Sequence, residues 1–179
     1  MSNYNTKFVG KVLMEFDELP STNDFARSYA NQSSAQEGAV IRARRQTSGR
    51  GQMGTTWESM PECNLTMSVV LQPSWLRADQ QTGLSKAVAL AVFDALQDWK
   101  NRENLDCHIQ IKWPNDVLIN RQKVCGILIE NTISGQNLGV SVVGIGLNIN
   151  QEHFSEALSG ATSLTLISGK KEDVEQVMH

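Results

Sequence analysis

The fold class is predicted mainly from residues 108–149, HIQIKWPNDVLINRQKVCGILIENTISGQNLGVSVVGIGLNI. It contains four apolar runs: HIQIKW, DVLI, VCGILIE and GVSVVGIGLNI. Turn-prone pairs separate them at Pro114-Asn115, Asn120-Arg121 and Ser134-Gly135. Since a parallel connection needs about a dozen residues or more, connections this short predict strands that pair antiparallel.

The chain before this stretch adds strands and helices. KVLMEF (11–16), GAVIRA (38–43) and NLTMSVVL (64–71) have the composition of strands. STNDFARSYANQ (21–32) begins with N-cap residues and predicts a helix. A longer helix is predicted over 80–101, with an apolar stripe of Leu84, Val88, Ala91, Val92, Ala95, Leu96 and Trp99. We therefore expect an α+β domain, a largely antiparallel or mixed sheet flanked by helices.

Composition narrows the class of protein. The 179 residues, 40% of them hydrophobic, suffice for one folded domain. A net charge of -3 predicts no general attraction to nucleic acid or to an anionic membrane. Neither a signal peptide nor a membrane span is evident, and we expect a cytoplasmic protein. The cysteines are expected to be reduced, buried small hydrophobes and the histidines to bind no metal, namely Cys63, Cys107, Cys125, His108, His153 and His179.

A glycine-rich segment, RRQTSGRGQMGTTWES (44–59), matches the letters GxGxxG of dinucleotide-binding loops. Such a loop must open a helix and needs an acidic residue about 20 positions later, whereas here a strand follows and residues 70–72 are Val-Leu-Gln. An oxidoreductase is therefore disfavoured. Arg44, Arg45 and Arg50 instead suggest a loop for carboxylates or phosphates. A solvated basic hairpin tip is the alternative from spacing alone.

Lys112 ends a strand that contains Ile109 and Ile111, and we expect it to lie on their apolar face. A lysine there must either extend to water or pair with an anion. Asn115 and Asp116 follow Pro114 and would either form an Asx turn or contact a nucleotide and its Mg²⁺.

Four blocks, in order, resemble the catalytic domain of the biotin protein ligases, also called biotin–[acetyl-CoA-carboxylase] ligases. They are Ser21-Thr22-Asn23; Gln46 to Trp57 for the family's QxxGRGRxGxxW loop; Lys112 to Asp116 with Gly126 to Glu130; and Gly144-Ile145-Gly146-Leu147-Asn148. The resemblance covers residues 12–168. GRG together with KWPND is a specific combination, whereas each block alone is weak evidence.

The resemblance implies a class II synthetase-like fold and a two-step reaction. Biotin and ATP, with Mg²⁺, would form biotinyl-5′-AMP and pyrophosphate. A lysine of a carboxylase's biotin carrier domain would then take up the biotin. Neither nucleic acid nor membrane is implied as a partner, and an exposed sheet edge could pair with a second copy of the chain.

Roles carried over from the resemblance fall into three groups. Residues implied to bind biotin are Ser21, Thr22, Asn23, Gln46, Gly49, Arg50, Gly51, Gln52, Lys112, Gly126, Ile127 and Leu128. Those implied to bind ATP or the adenylate are Arg50, Gln52, Met53, Trp57, Asn115 and Asn148. Lys112 and Arg50 would be catalytic, with Lys112 bridging the biotin carboxylate and the α-phosphate. Asp116 would meet Mg²⁺ through the phosphates.

The chain departs from the family pattern at Gln52, where bacterial members usually carry arginine, and weaker retention of the adenylate is expected. Only about 20 residues precede Ser21, too few for a helix-turn-helix domain. We expect residues 1–179 to be one catalytic domain, truncated before the family's small C-terminal SH3-like barrel. The segment 155–179 predicts a helix, a short extended piece and the start of another helix. A lipoate ligase and a non-catalytic biotin-binding module remain alternatives.

Overall fold

A computed structural model describes residues 6–178. Its strands are β1 (Leu13–Leu19), β2 (Val40–Gln46), β3 (Leu65–Leu71), β4 (Ile109–Lys112), β5 (Asp116–Ile119), β6 (Gln122–Ser134) and β7 (Asn137–Leu147). Its α-helices are α1 (Thr22–Ala30), α2 (Thr82–Arg102), α3 (Leu164–Ser168) and α4 (Val174–Met178). Every strand and both longer helices predicted from the sequence are present, with ends shifted by a few residues.

The strands form one mixed sheet in the order β1-β2-β3-β7-β6-β5-β4. β1 and β2 are parallel and are joined through α1, whereas every other neighbouring pair is antiparallel. The predicted antiparallel pairing of the four runs in 108–149 is confirmed, as is the α+β class. Strand β7, the last strand within residues 6–178, lies in the centre of the sheet, between β3 and β6.

Helix α1 begins where its sequence predicts. The side chain of Ser21 accepts a hydrogen bond from the backbone N–H of Asp24 and caps the helix. Ala26 is fully buried against Ile41 and Val70 on one face of the sheet. This packing fixes the first turn of α1, and therefore Thr22, over the middle of the sheet.

Helix α2 covers a second cluster, but its buried stripe differs from the prediction. Ala91 and Ala95 are exposed, whereas Ala89 is buried and Phe93 packs against the cluster. Alanine is too small to reveal from sequence which way it faces, and the larger Leu96 and Trp99 define the buried face. The packing role of the helix is unchanged.

The expectation that Lys112 shares a face with Ile109 and Ile111 is wrong. Neighbouring side chains of a strand point to opposite faces, so Lys112 lies on the side of Gln110. It is exposed at the end of β4, where it lies opposite Asp116 in the strand register.

The C-terminal segment also differs from the prediction. Residues 156–158 form only a short 3-10 turn, and the expected extended piece folds as α3. Ser163 caps α3 by accepting from the backbone N–H of Leu166, and Gly169, with φ 76°, ends it. Cap and stop signals therefore decide this segment, despite its β-branched residues.

The sequence predicts that all three cysteines are buried. Cys107 and Cys125 are buried as expected, and burial raises the pKa of the Cys125 thiol to about 12. Cys63 is only half-buried, so that part of the expectation is wrong.

His179 lies outside the described residues. Within residues 6–178 no helix has the length and apolar character to cross a membrane.

Candidate active site

A cavity of about 400 Å³ opens beside the central strands, between the first turn of α1, the glycine loop after β2, and strands β5 to β7. It gathers residues from all four sequence blocks. The residues predicted as site residues that line it are Ser21, Thr22, Asn23, Gln46, Arg50, Gly51, Gln52, Met53, Trp57, Asn115, Asp116, Gly126, Ile127, Leu128 and Asn148. Gly49 and Lys112 are outside this lining.

Glycines in β6 and β7 leave room for the wall of the cavity. A Cβ on Gly146 would lie 2.4 Å from Cε2 of Trp57, and one on Gly126 would lie 2.8 Å from its Cζ3. A Cβ on Gly144 would lie 2.2 Å from Oδ1 of Asn23. Real Cβ atoms do not approach other atoms this closely, so a side chain at any of these positions would displace Trp57 or Asn23. Gly49 contributes through its backbone, because its carbonyl accepts from the N–H of Trp57 at 3.0 Å.

A connected polar group lies at the α1 end of the cavity. Oε1 of Gln46 accepts from the backbone N–H of Thr22 at 2.8 Å and lies 3.2 Å from the Thr22 hydroxyl. Ser68, fully buried on β3, places its hydroxyl 2.8 Å from that of Thr22 and 2.7 Å from Oδ1 of Asn23. The amide of Asn23 donates to Glu130 at 2.9 Å. These contacts hold hydroxyl and amide groups ready for a polar ligand.

Lys123 is the cation that sequence reasoning missed. Its Nζ lies 2.7 Å from Oδ1 of Asp116 and 5.6 Å from the centre of a Trp57 ring. It lines the cavity beside Gly126 and is about two-thirds buried. The sequence signal was a lysine directly before the apolar run Val124 to Ile129, in the strand that follows the one beginning at Asp116.

Arg50 anchors the glycine loop to the rest of the domain. Its guanidinium contacts Asp24 of α1 at 2.6 Å and Glu130 of β6 at 2.8 Å. Burial disfavours the charged form of Arg50, but hydrogen bonding and attraction from Glu130 and Asp24 outweigh that effect and raise the pKa of the guanidinium. Arg50 therefore stays charged, and its two ion pairs hold the glycine loop against α1 and β6.

The other two arginines of the glycine segment do not reach the cavity. Arg44 pairs with Asp17 at 3.5 Å and Arg45 with Glu18 at 2.9 Å, both across to β1. Of the three arginines expected at one anion site, only Arg50 lines the cavity. Lys123 is the second cation there.

Three buried polar atoms of the cavity wall have no hydrogen-bond partner within residues 6–178: Nε1 of Trp57, Oδ1 of Asn148 and Oδ1 of Asp116, of which the last is ion-paired with Lys123. The amide nitrogen of Asn148 donates to the carbonyl of Thr162 at 3.1 Å, which leaves its oxygen as a free acceptor. Buried polar atoms without partners are costly, so an unpaired donor and an unpaired acceptor on two residues of the same cavity wall are candidate contacts for a ligand that offers both. A nucleobase has this character.

No cluster of three potential metal ligands of the His, Cys, Asp or Glu type occurs in the described part of the chain. Asp116 is a carboxylate of the cavity wall, and Lys123 neutralises it. Mg²⁺ typically takes one or two protein carboxylates and completes its shell with water and phosphate oxygens. The donor set therefore fits a Mg²⁺ ion that arrives with a nucleotide better than a resident metal.

Comparison with known proteins identifies the family to which this chain belongs. The profile of the biotin/lipoate A/B protein ligase family matches residues 15–148. A bifunctional ligase/repressor BirA of Bacillus subtilis is 35% identical over 171 residues, which are 94% of this chain and 50% of that protein. A biotin–[acetyl-CoA-carboxylase] ligase of Paracoccus denitrificans is 40% identical over 139 residues, 74% of this chain and 53% of that protein. The chain thus spans about half the length of the curated relatives it matches.

Solved structures share the fold. The biotin protein ligase of Aquifex aeolicus in complex with biotin and ATP superposes with a TM-score of 0.74 at 32% identity, covering 94% of this chain and 66% of that one. The enzyme of Leishmania major in complex with biotinyl-5-AMP gives 0.75 at 26% identity, covering 94% and 70%. The expected ligase catalytic fold is therefore confirmed. On its profile match, its relatives and its fold, the chain belongs to the biotin/lipoate A/B protein ligase family.

Proposed function

We propose that this chain is the catalytic part of a biotin protein ligase. It would activate biotin with ATP to biotinyl-5′-AMP and then transfer the biotinyl group to a lysine of a carboxylase's carrier domain. The proposal rests on the arrangement of one cavity. The hydroxyl of Thr22 and the amide of Gln46 lie at one end, and Lys123 lies at the other end with the unpaired polar atoms of Trp57 and Asn148. The biotin, ATP and biotinyl-5-AMP complexes of the structural relatives support it.

The α1 end would take the biotin head group. A ureido ring carries N–H donors and a carbonyl acceptor, which match the hydroxyl of Thr22 and the amide of Gln46. The apolar chain of biotin would run along Ile127 and Leu128 towards Lys123. This order brings the carboxylate of biotin to the cationic end.

In the first step the carboxylate oxygen attacks the α-phosphorus of ATP, the P–O bond to the leaving β-phosphate breaks, and pyrophosphate departs. The carboxylate is ionised at neutral pH, so no base is needed. The obstacle is repulsion between two anions, and a positioned cation removes it. Lys123 is well placed for this work, because it lies in the cavity between the biotin channel and Trp57.

The nucleotide end would use Trp57 and Asn148. The free Nε1 donor of Trp57 and the free Oδ1 acceptor of Asn148 suit an adenine ring. Asn115 and the loop residues Gln52 and Met53 complete that end. Mg²⁺ would enter with the phosphates of ATP, and Asp116 is the carboxylate that would contact it.

In the second step the carrier's lysine must lose a proton before its amine attacks the carbonyl carbon of the mixed anhydride, and AMP leaves. Asp116 is the carboxylate that lines the cavity near Lys123 and would assist. We further propose two protein partners: the carrier domain, and a second copy of the chain at an exposed edge of the sheet, whose outer strands are β1 and β4.

A lipoate ligase is the alternative that the family description includes. The dithiolane ring of lipoate has no N–H or C=O group. It would cover the polar end of the cavity at Thr22 and Gln46 without forming a hydrogen bond to either side chain, and covering polar groups in this way is costly. The polar end of the cavity therefore favours biotin.

The test mixes the chain with Mg-ATP and either biotin or lipoate and detects the acyl-adenylate by mass spectrometry. Lys123→Ala and Lys112→Ala give a matched pair, since both remove a lysine but only Lys123 lines the cavity. We expect biotinyl-AMP from the unmodified chain, a loss of about 100-fold or more in rate for Lys123→Ala, and a much smaller loss for Lys112→Ala.

Each result separates the hypotheses. The reverse order of the two variants would restore Lys112 as the catalytic lysine. An adenylate from lipoate but not from biotin would favour the alternative. Biotin binding without adenylate would leave a binding module, and no biotin binding at all would refute the proposal.

A further inference from the structure

Ser68 does not line the cavity, yet it contacts two residues that do. Its side chain is fully buried in the middle of β3, and its hydroxyl lies within hydrogen-bond distance of both Thr22 and Asn23. None of the four sequence blocks includes it. A buried hydroxyl at this place either stabilises the fold or sets the hydrogen-bonding state of its neighbours.

The direction of these hydrogen bonds follows from the surrounding groups. The amide of Asn23 faces the Glu130 carboxylate and the Leu128 carbonyl, which only accept, so its nitrogen must point to them. Its Oδ1 therefore faces Ser68 and can only accept. Since Ser68 has one hydroxyl proton, it donates that proton to Asn23.

The Thr22 hydroxyl is thereby left with acceptors around it. The Ser68 oxygen has given away its proton, and Oε1 of Gln46 is an amide oxygen. Thr22 donates its own proton, and the contact of 2.8 Å to Ser68 is shorter than that of 3.2 Å to Gln46, which makes the Ser68 oxygen the better acceptor. A lone pair of the Thr22 hydroxyl remains for the cavity, and it can receive only a hydrogen-bond donor.

We propose that Ser68 is a positioning residue that fixes the Thr22 hydroxyl as an acceptor, so that the site selects a head group with an N–H at this point. The inference rests on the proposed function, because the ureido N–H of biotin is the donor in question. Ser68 acts through Thr22 and Asn23 and need not touch the ligand.

The experiment compares Ser68→Ala with Thr66→Val. Thr66 is a matched control: it is a buried hydroxyl residue on the same strand and face, but it donates to the carbonyl of Ala43 at 2.7 Å and lies outside the cavity lining. For each variant, kcat and KM for biotin and for ATP are measured by adenylate formation, together with the melting temperature. The two mono-N-methyl biotins, which each lack one ureido N–H, are the second substrate set.

We expect Ser68→Ala to raise KM for biotin about five- to tenfold, the effect of one neutral hydrogen bond, and to leave KM for ATP within about twofold. The preference for biotin over at least one N-methyl biotin shrinks in Ser68→Ala. Thr66→Val lowers the melting temperature similarly but leaves both KM values unchanged. Ser68→Cys, which keeps a weak donor, falls between Ser68→Ala and the unmodified chain.

An unchanged biotin KM in Ser68→Ala, or an equal rise in Thr66→Val, would overturn the inference. Absence of adenylate from the unmodified chain would contradict the proposed function separately. Calorimetric biotin affinities of the same variants would then decide the role of Ser68. Absence of biotin binding to the unmodified chain would overturn both.

Discussion

Position 52 carries an uncharged glutamine in the wall of the cavity, next to the loop arginine that is already paired with Asp24 and Glu130. The loop therefore offers no free guanidinium to the phosphate of an adenylate. We expect Gln52→Arg to add one charge-assisted contact and to slow the release of biotinyl-AMP about tenfold.

The release rate is measured by chasing preformed, labelled biotinyl-AMP with excess unlabelled adenylate. Gln52→Lys controls for charge without the planar guanidinium. A dissociation rate that Gln52→Arg leaves unchanged would contradict the idea that this chain retains its adenylate weakly because of residue 52.

At the scale of elements, glycines in paired strands decide where Trp57 lies. Gly146→Ala in β7 would place a Cβ 2.4 Å from the Trp57 ring, which must then move out of the wall. We expect KM for ATP to rise about tenfold or more, because the indole would no longer meet the nucleotide. KM for biotin should change less, since Thr22 and Gln46 hold each other by hydrogen bonds at the α1 end of the cavity.

Gly83→Ala is the matched control. Gly83 lies in the first turn of α2, where an added Cβ meets no atom within 4 Å. It should stabilise the helix by about 0.5–1 kcal/mol and leave the kinetics unchanged. Equal effects of the two substitutions on KM for ATP would show that Trp57 does not form the nucleotide wall.

The strands and helices around this site could be predicted from the sequence, because apolar periodicity and short turns constrain them directly. Lys123 could not. Strict alternation would place it on the face of Cys125, but a bulge where β5 pairs with β6 shifts the register. Lys123 then lies beside Gly126, in the cavity. Sequence patterns do not encode such a shift, which depends on the pairing of two strands.

Sequence reasoning found the loops of the site but did not find all the cations that line its cavity. Arg44, Arg45 and Lys112 stood in the right segments, yet the two arginines pair with β1 and the lysine is exposed. Ser68 had no motif at all. Which polar side chain reaches a cavity is decided by strand direction and partners from distant segments, which are visible only in the folded chain.

On the scale of the whole molecule, a buried arginine joins both ends of the described chain. Arg42 of β2 is 5% exposed and contacts Glu15 of β1 at 3.0 Å and Glu175 of α4 at 2.5 Å. We expect Arg42→Met to lower the free energy of unfolding by about 2 kcal/mol, because two charge-assisted hydrogen bonds are lost while the glutamates can turn to water. Glu175→Gln should cost about half as much.

Urea denaturation measures both effects. Arg45→Met is the control, since Arg45 belongs to the same strand but its pair with Glu18 is exposed, and such pairs contribute little. A cost for Arg42→Met no larger than that for Arg45→Met would show that α4 is held by its apolar contacts alone.

The central position of β7 also has a consequence for synthesis on the ribosome. Because β7 connects the two halves of the sheet, native strand pairing before residue 137 has emerged is possible only within β1-β2-β3 and within β4-β5-β6. Each has an unpaired edge, at β3 and at β6, where β7 will later insert. Open edges of this kind recruit other chains, so the nascent polypeptide is most prone to aggregate just before β7 appears. Ribosome-bound chains that stop short of β7 should therefore be the form that chaperones capture.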